Sequence, residues 1–282
     1  MHPVIQSLVQ AALAEDLGDR GDVTSTFFVP ETAVSRATIL AKADGVLSGM
    51  DVAAEVLKQV DPRLKLKRLV KDGSSFAKGD VVGVITGPSR SLLAAERTLL
   101  NFIQRLSGVA TASRRYRDAL GDHKTVLLDT RKTTPGWRLL EKAAVRHGGG
   151  SNHRMGLYDA VMVKDNHIAA CGSLQSLQHG IDAVKKRWKK IKVQLEAATL
   201  DQFEAYLTLR GVDSVLLDNM SLAQLKKAVH MNAGRFYLEA SGGITLKTIA
   251  KVASTGVDAI SVGALTHSAG SIDLSLEFDV DS

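Results

Sequence analysis

Ser214-Val215-Leu216-Leu217-Asp218-Asn219 decides the fold: an apolar run ends in two polar residues, and Leu222 to Val229 behind it carries helical periodicity. The same unit recurs on both sides. Thr125 to Leu128, Ala160 to Val163, Ile191 to Leu195, Phe236 to Leu238 and Ala259 to Val262 are further apolar runs, and amphipathic stretches such as Leu200 to Leu209 lie between them. Short runs rich in Val, Ile and Leu suit parallel strands buried on both faces. Their alternation with helices predicts a (β/α) barrel or a doubly wound sheet.

The polar residues choose between these two. They follow the strands' carboxyl ends: Asp129-Thr130-Arg131-Lys132, Lys164-Asp165-Asn166-His167, Glu196, Asp218-Asn219, Glu239 with Ser241-Gly242-Gly243, and Gly263. A barrel gathers such ends on one mouth, whereas an open sheet spreads them along an edge. The barrel is the expected architecture of the second half.

The first hundred or so residues read as an α+β cap. Val34 to Ala41 and Leu64 to Val70 predict strands, Val52 to Val60 a helix, and Lys78 to Gly83 a turn into another strand. Lys42 and Lys78 lack the hairpin-tip setting of a lipoyl or biotinyl carrier lysine. Ser91 to Leu106 predicts a long helix leading to the barrel, with Ser91 opening a capping box.

Composition narrows the function. The one cysteine, Cys171, excludes an internal disulfide framework and fits a reducing compartment. No apolar stretch of about 18 residues exists to span a bilayer, and Met1 to Leu13 lacks a signal-peptide pattern, so the expectation is a cytoplasmic protein with no membrane partner. The net charge of +6 favours anionic partners. Part of that charge is the run Lys185-Lys186-Arg187-Trp188-Lys189-Lys190. Leu174, Leu177, Ile181, Val184 and Trp188 recur there at helical spacing, which puts the lysines on a solvated face and argues against nucleic acid.

Other cations sit where chemistry is expected. Arg131, Lys132, Arg154 and Lys164 would surround one space at the barrel mouth, with Arg97 on the linking helix as a fifth. Like charges repel strongly where water is excluded, and an anionic ligand resolves the repulsion. Arg suits carboxylates and Lys suits phosphate oxygens. Ser241-Gly242-Gly243 and Val262-Gly263-Ala264 follow two late strands, the usual position of a barrel phosphate site. Glu196 and Asp218 suit a divalent metal, ribose hydroxyls or a developing cation. His153 and His167 are candidates for substrate contact or proton transfer, and no Cys/His cluster has zinc spacing. The competing class is a non-catalytic binder of nucleotide or nucleic acid, whose basic residues should form a surface stripe.

Four motifs together resemble the quinolinate phosphoribosyltransferases. They are Glu96-Arg97-Thr98 through Asn101 to Ser107-Gly108, Asp129 to Gly136, Gly148-Gly149-Gly150 to Asn152-His153-Arg154, and Val163 to His167. Glu15-Asp16-Leu17-Gly18 and Gly21-Asp22-Val23-Thr24 resemble that family's N-terminal segment, so the likeness covers nearly the whole chain. It implies an N-terminal α/β sandwich (1–108, joined by 267–282) on an incomplete α/β barrel (109–266). The implied reaction joins quinolinate and phosphoribosyl pyrophosphate (PRPP), with Mg2+ and no tightly bound organic cofactor, in NAD biosynthesis. By the same resemblance Arg131, His153 and Arg154 take the quinolinate carboxylates, with Arg97 of the partner subunit reaching in across a homodimer. Lys132 and Lys164 meet anionic groups, Thr133 shares their loop, Glu196 and Asp218 lie near ribose and magnesium, and Ser241, Gly242, Gly243, Val262, Gly263 and Ala264 hold phosphate. One position departs: where the family commonly reads Val-Glu-Val-Glu, this chain has Val193-Gln194-Leu195-Glu196.

Overall fold

A computed structural model of the chain describes residues 1–279. By internal contacts the chain divides into two compact units. The first holds Met1–Arg114, Thr133–Gly149 and residues from Leu265 onward; the second holds Arg115–Lys132 and Gly150–Ala264. Residues 280–282, part of the C-terminal segment expected to join the first domain, lie outside the described residues.

Strands β1 (Val34–Ala41), β2 (Gly45–Val46), β3 (Lys65–Arg68), β4 (Ser75–Phe76) and β5 (Val81–Pro88) belong to the first unit. Strands β6 (Val126–Leu128), β7 (Ala160–Val163), β8 (Lys192–Ala197), β9 (Ser214–Asp218), β10 (Tyr237–Ser241) and β11 (Ala259–Ser261) form the second, and β12 (Leu274–Phe278) returns to the first.

In the first unit β12, β1, β5 and β3 make an antiparallel sheet in that order, and β2 pairs with β4. Alternation along β1 buries Ala37, Ile39 and Ala41. The helix Met50–Val60 contributes Val52, Ala53, Val56 and Leu57 to the same core. Each such Val, Leu or Ile stabilises by roughly 1.5–3 kcal/mol relative to an exposed one.

The linking helix is longer than expected, running Ser89–Ala119. Ser91 is not its cap: the helix starts two residues earlier, and the Ser91 hydroxyl donates to Asp61 Oδ2 at 2.6 Å. Nor does Gly108 end it, because a Cβ there would run into the Gly270 carbonyl. Glycine admits a close approach of the C-terminal segment, and the expected boundary at 108 therefore falls inside a continuous helix. Segment 133–149 groups with the first unit rather than with the barrel strands. Trp137 stacks on Phe102 at 4.7 Å, and Glu141, fully buried, accepts from Arg105 at 2.8 Å and from Thr134.

In the second unit the six expected runs form one parallel sheet, ordered β6-β11-β10-β9-β8-β7. Val193, Leu195, Val215, Leu217 and Ile260 are fully buried, as strands covered on both faces require. Strand β7 is the exception, being only half-buried along its length, because it is the end strand. The barrel does not close: β6 and β7 remain unpaired with each other, and Leu128 bridges Ser151 instead.

The basic run contains one correction. Helix Leu174–Arg187 buries Leu177 and Ile181, but Lys185 leaves the solvated face to pair with Asp213. Asp213 also accepts from Lys192 at 3.0 Å and from the Val193 amide at 2.8 Å, which pins the start of β8. Burial pushes the Asp213 carboxyl up, but these donors outweigh it and hold it below its ordinary value. A depressed carboxylate adds stability that is present above about pH 4 and lost as the pH falls through the folded value. Asp213→Asn is expected to cost about 1–3 kcal/mol at pH 7, from lost charged hydrogen bonds. Thermal melts across a pH series check this; the two proteins should differ at pH 7, and the difference should shrink as the pH falls below about 4.

Candidate active site

The carboxyl ends of β6 to β9 carry a clamp, two arginines and a mixed cluster of lysines and acids. The clamp is Asp129. It is fully buried after β6, accepts the His153 amide at 2.8 Å and the Asn152 side chain at 2.6 Å, and ties segment 151–153 to the end of its strand. Arg154 follows directly, its guanidinium donating to the Ala160 carbonyl at 3.1 Å. Burial, then the Arg131 charge, pushes the Arg154 guanidinium below its ordinary value, with Asp159 opposing. Two guanidiniums repelling each other in partly desolvated space form a site that an anion stabilises.

Beside them stand Lys132, Lys164, Glu196 and Asp218. Lys164 and Glu196 form an ion pair, and the Lys164 head remains half exposed. Burial, then the neighbouring Glu196 carboxylate, pushes Asp218 up, while Asn219, Lys164 and Lys132 pull it down. Tyr206 donates its hydroxyl to the Glu196 carbonyl at 3.1 Å and steadies the end of β8; burial and Glu196 push that phenol up to about 12. Two carboxylates flanked by two ammonium groups suit a substrate that is anionic overall and develops positive charge at one carbon.

Asn219 and Gly242 are locked together. Asn219 has φ +54°, donates its amide N–H to the Ser241 carbonyl at 2.8 Å, and gives its side-chain N–H to Asp218 Oδ2 at 2.8 Å. Gly242, at φ +95°, is the residue whose Cβ would occupy the space of the Asn219 side chain. Gly243, at φ +61°, faces open space. A cavity of about 220 Å³ lies at this turn, lined by Ser221, Ser241, Gly242, Gly243, Thr248 and Lys251. Val262 donates its N–H to Leu128 at 3.0 Å, which fastens the Val262-Gly263-Ala264 turn to β6.

Both candidate histidines make contacts within the chain. His167 accepts the Lys164 amide at 3.0 Å and so caps the helix Asp165–Cys171. His153 uses both ring nitrogens within the chain: Nδ1 accepts the Arg154 amide at 2.7 Å, while Nε2 lies 3.2 Å from both Gln194 Oε1 and Glu239 Oε2.

Thr133 and Arg97 belong to the first unit. Thr133 accepts from Arg138 at 3.1 Å. Arg97 is exposed on its helix and lines a cavity of about 270 Å³ with Glu15, Asp16, Asn101, Phe102 and Trp137. Asn219 and Glu239 were visible as strand-end polar residues and Gln194 as a departure from the family pattern, but strand-end reasoning assigned none of the three a role at the site. For Gln194 the signal was the polar break it makes in an otherwise apolar strand.

Among the described residues no helix is long and apolar enough to cross a membrane. The family model for the quinolinate phosphoribosyl transferase N-terminal domain matches residues 22–107, and that for its C-terminal domain matches residues 109–277. Quinolinate phosphoribosyltransferase [decarboxylating] 1b of Nicotiana tabacum is 41% identical over 99% of this chain and 84% of its own. The probable nicotinate-nucleotide pyrophosphorylase [carboxylating] of Bacillus subtilis is 39% identical over 98% of this chain and 94% of its own. The solved nicotinate-nucleotide pyrophosphorylase of Francisella tularensis superposes with a TM-score of 0.90 at 39% identity, covering 98% of this chain and 96% of that one. Two domain matches that together span nearly the whole chain, and relatives about 40% identical over nearly all of it, establish that this chain belongs to the quinolinate phosphoribosyltransferase family.

Proposed function

We infer that the protein transfers the phosphoribosyl group of PRPP to quinolinate with decarboxylation, giving nicotinate mononucleotide, pyrophosphate and CO2 in NAD biosynthesis. The observation that carries this reading is the division of charge at the strand ends. Arg131 and Arg154 form a cationic pair suited to a dicarboxylate, and Lys132 and Lys164 with Glu196 and Asp218 form a cluster suited to a phosphorylated sugar.

The chemistry follows from these groups. As pyrophosphate departs, the lysines neutralise its negative charge, and the carboxylates of Glu196 and Asp218 stabilise the positive charge growing on the ribose ring. The arginines orient quinolinate so that its ring nitrogen meets the anomeric carbon. Loss of the adjacent carboxylate as CO2 leaves its electron pair on the ring carbon, where the neighbouring pyridinium charge stabilises the carbanion until a proton from solvent replaces the carboxylate and completes nicotinate mononucleotide. The Gly242-Gly243 turn and the Val262-Gly263-Ala264 turn offer backbone N–H groups to phosphate.

Magnesium fits this donor set as an ion brought with its substrate. Among the described residues no group of three or more His, Cys, Asp or Glu is placed to hold a metal by itself. Glu196 and Asp218 are neighbouring carboxylates, and Mg2+ is commonly held by one or two carboxylates plus substrate phosphates. When bound there, the ion would neutralise charge on the leaving pyrophosphate. A homodimer completed by Arg97 of the partner subunit is supported by the exposure of Arg97 and of the large apolar residues Phe27 and Phe28. A cytoplasmic location is our reading for this chain; plant relatives carry chloroplastic or mitochondrial names.

The test is release of CO2 from carboxyl-labelled quinolinate. Release should require both PRPP and Mg2+, and nicotinate should not replace quinolinate. Turnover of nicotinate with no CO2 from quinolinate would refute the assignment.

A further inference from the structure

Three polar side chains meet inside the second unit's sheet, behind the strand-end site. Gln194 on β8 and Glu239 on β10 reach past the intervening strand β9 towards His153. Glu239 is 2% exposed and Gln194 6%. The Gln194 amide donates to Glu239 Oε2 at 2.8 Å, and both Gln194 Oε1 and Glu239 Oε2 stand 3.2 Å from His153 Nε2. Glu239 Oε1 has no hydrogen-bond partner among the described residues.

The donor and acceptor roles in this triangle follow from two groups whose roles are fixed. The Arg154 backbone N–H can only donate, so His153 Nδ1 accepts and the ring hydrogen sits on Nε2. An ionised carboxylate can only accept, and it also claims the Gln194 N–H, which turns the Gln194 oxygen towards the ring. Nε2 therefore faces two acceptors and must donate. Burial pushes Glu239 up, but His153, the Ser261 hydroxyl and the Gln194 amide together hold it below its ordinary value, in the form that accepts. Keeping a buried carboxylate with one oxygen unpaired is a poor route to stability, since apolar groups of similar shape commonly do as well or better.

We propose that Glu239 is a positioning residue for the acceptor acid: it selects the His153 tautomer that holds the Arg154 backbone, and so aims the Arg154 guanidinium beside Arg131. Gln194 is the neutral spacer that lets one carboxylate do this. The proposal rests on the quinolinate reading above. With glutamine at 239 the side chain can turn an N–H towards Nε2. The ring hydrogen is then free to move to Nδ1, where it opposes the Arg154 N–H and releases that segment.

Glu239→Gln, which keeps size and shape, is the variant to test by steady-state kinetics with each substrate varied in turn. The expected result is a quinolinate KM at least about tenfold higher and a PRPP KM within about twofold of wild type, since loss of one orienting hydrogen bond is worth on the order of 1.4 kcal/mol. A quinolinate KM within twofold of wild type, or an equal rise in both KM values, would overturn the proposal. Wild-type protein supplies a measurement that needs no variant. Imidazole 15N spectra, with His153 assigned by comparison with His153→Gln, should show hydrogen on Nε2, and hydrogen on Nδ1 would also overturn it. Absence of quinolinate-dependent CO2 release from the wild type would sink the transferase reading, and the spectrum distinguishes that failure from a failure of the Glu239 linkage.

Discussion

Alanine in place of Arg131 is expected to lower kcat/KM for quinolinate by about two to three orders of magnitude. Burial, with the Arg131 charge adding to it, already pushes the Arg154 guanidinium below its ordinary value. A dicarboxylate relieves the repulsion between the two arginines and gains charge-assisted hydrogen bonds, and truncating one partner of such a pair costs roughly 2–5 kcal/mol. Most of the loss should appear in the quinolinate KM, because the arginine holds the acid before and during reaction alike. Lysine at this position should recover little, having no planar fork to match a carboxylate. The stability of Arg131→Ala should equal or exceed that of wild type, since an unliganded repulsion disappears; a thermal melt checks this. Mixing Arg131→Ala with Arg97→Ala subunits tests the proposed shared site. In a symmetric dimer, random exchange should restore about a quarter of wild-type activity. No recovery after verified exchange would reject sharing, and a near-wild-type quinolinate KM in Arg131→Ala would reject the carboxylate role.

Gly242→Ala is the second large effect, and it arises without touching any charge. At φ +95° an L-residue is strained, and the added methyl would enter the space of the Asn219 side chain. Asn219 also has positive φ and cannot retreat without breaking its bonds to the Ser241 carbonyl and the Asp218 carboxylate. The strain and the overpacking each cost on the order of 1–3 kcal/mol, so the melting temperature should fall. Displacement of Asp218 by about 1 Å is worth on the order of a hundredfold in rate. The loss should appear in kcat at saturating substrates. Gly243→Ala is the matched control: its φ is also positive, but a Cβ there meets no neighbour. It should cost stability and disturb Asp218 less. Equal kcat losses in the two variants would show that backbone strain, not the Asn219 contact, governs the turn.

The strands and the site differed in how plainly the sequence showed them. A parallel strand covered on both faces needs an unbroken apolar run, so Ser214 to Leu217 and its fellows were visible without any contact information. Residues just past each run fall at one end of the sheet by topology alone, which is why Arg131, Lys164, Glu196 and Asp218 could be named. Long-range packing was not visible. The helix was read only to Leu106, and the reason for Gly108 inside its continuation is Gly270, far along the chain. Lys185 looks solvated because its partner Asp213 belongs to another element. Gln194 and Glu239 are separated from His153 by 41 and 86 residues, and only the folded sheet brings the three together.

The strand order has a consequence for synthesis and folding. Strands β7 to β10 each pair with their neighbour in sequence, so that part of the sheet can grow as the chain emerges. Strand β6, which leads into Asp129, Arg131 and Lys132, pairs with β11, Val126 lying opposite Ala259. That closure spans most of the unit and carries the largest loop entropy, so it comes late. A nascent chain that has not yet released β11 holds the acids at the ends of β8 and β9 but no fixed place for the arginine grip. Capture of an anion therefore reports completed folding, and substrate should protect the full-length chain while leaving fragments that end before residue 259 open to proteolysis.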